Sequence, residues 1–124
     1  MSLQTLMPNA GEQDSRRQQR IEPQRPILVV NINTQKPMGA LVNISLEGLM
    51  VMSDTIIDTN RIYQISLQLN DPVNGHKYID LGVDCLWNRS ETENQRYWAG
   101  FQIIDASRSS LNRIEMLIRD LDHS

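Results

Sequence analysis

Tyr63-Gln64-Ile65-Ser66-Leu67-Gln68-Leu69-Asn70 alternates apolar and polar side chains without a break. A period of two puts Tyr63, Ile65, Leu67 and Leu69 on one face of a strand and Gln64, Ser66, Gln68 and Asn70 on the other. One face is dry and the other wet. The turn-forming run Asn70-Asp71-Pro72-Val73-Asn74-Gly75 follows, and its Asn-Gly pair supplies the positive φ that a hairpin needs. The returning strand is expected to bury Ile79, Leu81, Val83, Cys85 and Trp87 and to expose Asp80 and Asp84. Outward from this hairpin, β-rich runs separated by turn residues occupy 27–33, 40–45 and 49–53 before it and 97–104 after it. With 62–69 and 77–87 they make six strands, which predicts an all-β fold, a small antiparallel barrel or a sandwich. At 107–121 the period changes: Leu111, Ile114, Leu117, Ile118 and Leu121 recur at helical spacing behind serines suited to N-capping. A C-terminal amphipathic α-helix lying on the β-structure is expected.

The 124 residues suit one domain, and 40% hydrophobic with 22% charged residues is a globular composition. Residues 1 to about 26 carry few apolar side chains and include Pro8, Gly11, Pro23 and Pro26 as breakers, so they read as a mobile leader. The apolar stretches at 26–30 and 49–52 are far shorter than the roughly 20 residues of a membrane span. The first residues lack the basic leader and apolar run of a signal peptide, so the expected location is cytoplasmic. Cys85 is the single cysteine, which excludes an intrachain disulfide, and an apolar strand face makes it core filler. His76 and His123 are too far apart in sequence to suggest a zinc site, and no metal or cofactor is expected.

The net charge of −3 gives no overall attraction to nucleic acid, and the strands are acidic or neutral, so neither DNA nor RNA is an expected partner. The local distribution is different. Arg16, Arg17, Arg20 and Arg25 fall within one ten-residue window, whereas the lysines are Lys36 and Lys77. Arginine suits planar, forked recognition of phosphate or of a guanine edge. Two short motifs stand on either side of the first strand: Arg16-Arg17-Gln18-Gln19-Arg20, an RxxxR spacing, and Asn43-Ile44-Ser45-Leu46-Glu47-Gly48, an NxSxxG spacing. By itself the first is a charged, solvated leader. The second by itself is a turn in which Asn and Ser bond local backbone and Gly48 permits an unusual φ.

In this order, and followed by this β pattern, the two motifs resemble the PilZ domain family of bacterial cyclic di-GMP receptors. The segments Asp58-Thr59-Asn60-Arg61, Cys85-Leu86-Trp87 and Tyr97-Trp98-Ala99-Gly100-Phe101 are similar to that family too. The resemblance covers residues 15–122 and leaves 1–14 as a disordered leader. It implies a small six-stranded antiparallel β-barrel with a C-terminal α-helix and a flexible N-terminal arm. It also implies that Arg16 and Arg20 clamp the ligand through guanine edges, guanine faces and phosphates, with Arg17 auxiliary. Asn43 then recognises a guanine, Ser45 contributes a hydrogen bond, and Gly48 lets backbone approach. Many relatives have Asp where this chain has Asn43; the amide loses the charge and the second acceptor oxygen.

Cyclic di-GMP explains why these residue types are needed. It is a dianion whose guanine edges each offer the adjacent acceptors N7 and O6, which a guanidinium fork matches at about 1–3 kcal/mol of discrimination per good pair. Trp87 and Trp98 are candidates for stacking on a base, although six aromatic residues in a small domain favour core packing for both. The expected mechanism is ligand-driven ordering of residues 10–25, which changes the surface offered to a downstream protein effector. An enzyme acting on the dinucleotide is not expected, because phosphodiester hydrolysis usually draws on clustered carboxylates and histidines that hold metals. The alternative is an adaptor that keeps the barrel, binds no nucleotide and works by protein contact.

Overall fold

A computed structural model describes residues 20–73 and 75–122. Its strands are β1 (Leu28–Asn31), β2 (Lys36–Ile44), β3 (Gly48–Ser53), β4 (Ile62–Val73), β5 (His76–Glu91) and β6 (Arg96–Asp105), followed by one helix, α1 (Arg108–Asp122). The strands close on themselves in the order β1-β2-β3-β6-β5-β4, every pairing antiparallel. This is the all-β, six-stranded barrel with a C-terminal helix that the resemblance implied.

Alternation fills the interior as expected. Val29, Leu41, Ile44, Leu49, Val51, Ile65, Leu67, Ile79, Leu81, Val83, Cys85 and Phe101 are buried together. Ile114 and Leu117 of α1 join the same cluster, packing against β4 and β5. Ser107 caps the helix, its Oγ accepting from the Ser110 amide at 3.0 Å. Leu111, counted in the apolar stripe from its spacing, is instead exposed.

The β4–β5 hairpin is longer than the alternation at 63–70 suggested. β4 continues to Val73, which pairs with His76, and Gly75 takes φ 79°. Pro72 falls inside a register irregularity between Gln68 and Val73, where its missing N–H interrupts no ladder bond.

A second irregularity overturns one expected orientation. Cys85 pairs with Phe101 but Trp87 pairs with Gly100, so β5 carries one extra residue at this point. The bulge moves the alternation on by one. Cys85 stays inside, while Leu86 and Trp87 both stand on the outer surface, exposed by 54% and 41%.

The leader is also shorter than expected, because residues 20–27 are fastened to the barrel. Ile21 and Ile44 exchange two backbone hydrogen bonds of 3.0 Å, and Ile27 is buried. Asn70 Nδ2 donates to the Pro26 carbonyl at 2.9 Å, and Arg25 pairs with Asp71 at 2.5 Å. The span expected to order on ligand binding, 10–25, therefore loses its C-terminal part. Residues 10–19, and the 1–14 leader, lie outside the described residues.

Candidate ligand-binding face

The Asn43–Gly48 segment joins β2 to β3 and is held by Ser45. The Ser45 amide donates to the Gly48 carbonyl at 2.8 Å, and its Oγ accepts from the amides of Glu47 and Gly48, both at 3.2 Å. The hydroxyl proton points to the Gly48 carbonyl at 3.3 Å. A hydroxyl has one donor and two acceptor sites, and the turn uses all three. Ser45 is 1% exposed. It shapes the loop from inside.

Gly48 does not need an unusual φ, since it is not among the positive-φ residues. Its reason is proximity: a Cβ there would run into the Phe101 carbonyl oxygen of β6. The same tight approach lets the Ile103 amide donate to the Glu47 carbonyl at 2.8 Å. The turn is thus pinned against β6 and presents a fixed shape.

Onto this turn the N-terminal segment brings one arginine. The Ile21–Ile44 bridge sets Arg20 beside Asn43, and Arg20 Nη1 donates to Asn43 Oδ1 at 2.9 Å. The other guanidinium nitrogen lies 3.7 Å from where a Cβ on Gly48 would stand. Arg20 is exposed. Of the sequence-derived site residues, the fold gathers Arg20, Asn43, Ser45 and Gly48. Arg16 and Arg17 lie outside the described residues. Among the described residues no group of three or more His, Cys, Asp and Glu is placed to hold a metal ion.

Such a pairing of an N-terminal arginine with an NxSxxG turn at the β2–β3 junction agrees with the comparison of the chain with known families, in which the PilZ domain matches residues 14–120. The chain belongs to the PilZ domain family. Among solved structures, this PilZ domain is similar to that of YcgR from Escherichia coli, solved with c-di-GMP. The identity is 12% and the TM-score 0.62, over 84% of this chain and 88% of that one. It is also similar to MrkH from K. pneumonia, at 15% identity and a TM-score of 0.70 over 86% of this chain and 49% of that one. MotI, the Bacillus subtilis inhibitor of motility, shares 13% identity and a TM-score of 0.62 over 86% of this chain and 52% of that one. At these identities the likeness is one of fold. The chain spans about half the length of MrkH and MotI. Among curated proteins, none matches it.

Pairing across the PilZ barrel defines the surface next to Arg20. Asn43 pairs with Met50, Met50 with Gly100, and Gly100 with Trp87. Directly opposed residues share a face, so these positions form one outward row. Three strand spacings separate its ends, about 14 Å. Gly100 carries no side chain, and Trp87 occupies that space: a Cβ on Gly100 would collide with the indole nitrogen. The next outward row is Ala40, Met52, Trp98 and Arg89. Trp98 is half-buried there, and its Nε1 donates to Glu91 Oε2 at 3.3 Å. Neither tryptophan belongs to the core, contrary to the packing expected from their number. The sequence reading missed Met50, Gly100 and Ile21. A glycine inside an aromatic strand was the available signal for Gly100, and a lone apolar residue after the arginines was the signal for Ile21.

Proposed function

We propose that this PilZ domain is a cyclic di-GMP receptor and adaptor that passes ligand occupancy to a protein effector. One observation carries the reading: the Arg20 guanidinium rests on Asn43 and against Gly48, so the two motifs make one donor-rich surface before any ligand arrives. A guanidinium there can fork onto N7 and O6 of a guanine or pair with phosphate. The YcgR domain of like fold was solved with c-di-GMP, which supports the same ligand class here. Arg16 and Arg17 complete the clamp in this reading. Trp87, whose indole lies over Gly100 two strand spacings from Asn43, about 10 Å, offers a ring face to the second guanine, with Trp98 one row away. Signalling follows from fixing the residues ahead of Arg20 against the barrel, which alters the surface that an effector meets.

Titration calorimetry of the full chain with cyclic di-GMP tests this, run beside Arg16→Ala and Arg20→Ala. Saturable binding weakened about tenfold or more in each variant is expected, equivalent to about 1.4 kcal/mol. Equal affinity in the variants removes the proposed clamp. Absence of binding to the unaltered chain removes the receptor function and leaves the nucleotide-free adaptor. Backbone relaxation of residues 10–19 with and without ligand tests the ordering, and unchanged mobility at saturation counts against it.

A further inference from the structure

Residues 23–27, the end of β4 and the last turns of α1 meet around a cavity of about 230 Å³. Its floor is aliphatic: Ile27, Leu69, Val73 and Leu117 are buried there, with the half-buried Leu121 beside them. The Asn70–Pro26 hydrogen bond and the Arg25–Asp71 pair tie one wall to another, and Pro23 and Pro72 fix φ in both, so the opening is formed in advance.

The rim is acidic. Arg25 is engaged by Asp71, and Asp120 makes no ion pair among the described residues. Asp120 and Asp122 stand in the last turn of α1, where the backbone carbonyls already carry partial negative charge and a carboxylate costs stability. Arg119, the basic residue of that turn, donates back to Glu115 at 2.8 Å. This helix end therefore favours a cation supplied from outside.

We infer that the cavity is a socket for a protein partner, taking an aliphatic side chain flanked in its own chain by lysine or arginine. It is smaller than the roughly 300–1,000 Å³ of pockets that enclose whole small molecules, which suits it to a side chain presented by a larger partner. The aliphatic group meets Leu69, Val73 and Leu117, and the cation sits on Asp120 and the α1 carbonyls. The inference names the effector surface of the proposed adaptor and rests on that reading for its role in signalling. One wall belongs to the same segment as Arg20, so nucleotide and partner act on one stretch of chain.

The test follows methyl NMR signals of the full chain, without nucleotide, as three capped tetrapeptides are added. They are acetyl-Arg-Leu-Leu-Arg-amide, its counterpart with glutamates for the arginines, and its counterpart with serines for the leucines. The first is expected to shift Leu69, Val73 and Leu117 saturably, and each counterpart to bind about fivefold weaker or more. Asp120→Asn, a change at an exposed side chain, is expected to weaken the first peptide about two- to fivefold. Leu121→Trp, which fills the cavity, is expected to abolish its binding. Shifts confined to other parts of the barrel, or equal affinity for the glutamate peptide, overturn the inference. Leu3→Ser combined with Leu6→Ser tests the chain's own leader as the occupant: unchanged socket signals are expected, and altered ones put the leader there and overturn the inference. Cyclic di-GMP titration is a separate measurement. Loss of peptide binding with nucleotide binding intact overturns the socket alone, whereas peptide binding without nucleotide binding removes the receptor function and leaves the socket to the nucleotide-free adaptor.

Discussion

Gly48 and Gly100 both sit in paired strands with a neighbour where a side chain would go, but the neighbours differ. At Gly48 the obstacle is the backbone carbonyl of Phe101, which cannot yield without shifting the β3–β6 ladder. At Gly100 it is the Trp87 indole, which can swing outward. Gly48→Ala is expected to lose about 1–3 kcal/mol of stability, seen as a lower urea midpoint at unchanged slope. Gly100→Ala is expected to lose less, with the emission of Trp87 shifted to the red in a Trp98→Phe background. A Gly48→Ala chain as stable as the unaltered one contradicts the steric account. Residue identities at this scale were legible in one respect: NxSxxG reads as a turn from its composition, and it is one. What Gly48 avoids was not legible, because Phe101 is far away in sequence and meets it only through the β3–β6 pairing.

The β5–β6 hairpin shows how an element's ends are held. Glu91 pairs with Arg96 in register, and its carboxylate accepts from Asn94 Nδ2 at 2.5 Å and from Trp98 Nε1 at 3.3 Å. The Asn94 bond first, and the Trp98 bond second, hold this carboxyl below the usual glutamate range. A depressed folded-state value means that the carboxylate stabilises the hairpin above the ordinary glutamate range. That stabilisation is lost as pH falls through the lowered value. Amide-exchange protection factors at 88–99 are expected to fall selectively on acidification, and Glu91→Gln is expected to remove the selectivity; equal acid response in both chains rejects the account. The sequence located the elements well where alternation alone decides them, as at Tyr63–Leu69, and poorly where pairing decides them. The extra residue in β5 depends on how Cys85 and Trp87 align with β6, and nothing in Cys85-Leu86-Trp87 by itself announces it. The continuation of β4 through Asn70, Asp71 and Pro72 was hidden for a related reason: residues typical of turns were carried into a strand by the hairpin that they extend.

For the molecule as a whole, closure of the barrel seals Cys85 completely. Burial pushes its thiol above the ordinary range, and the charges of Asp84 and Asp58 push in the same direction. A raised folded-state value leaves the native protein at full advantage below the ordinary thiol pKa of about 8.5. That advantage is lost as pH rises through the folded-state value. The urea midpoint of the unaltered chain is therefore expected to fall relative to that of Cys85→Ala between pH 7 and pH 10, and parallel midpoints would show that the thiol does not contribute. The placing of Cys85 as core filler was legible from its strand face, since Ile79, Leu81 and Val83 share it. The Arg20 site was legible only as two separate motifs, since the Ile21–Ile44 bridge that unites them is a long-range contact between residues of ordinary type.

Closure has one more consequence. In the barrel body each strand is hydrogen-bonded on both sides, so an incoming peptide finds no open row of backbone donors and acceptors on which to add itself as another strand. In the proposed role, an effector is left to recognise side chains and whatever lies on them. In that role its choice between an occupied and an empty barrel is open to retuning by single outward substitutions, with the scaffold unchanged.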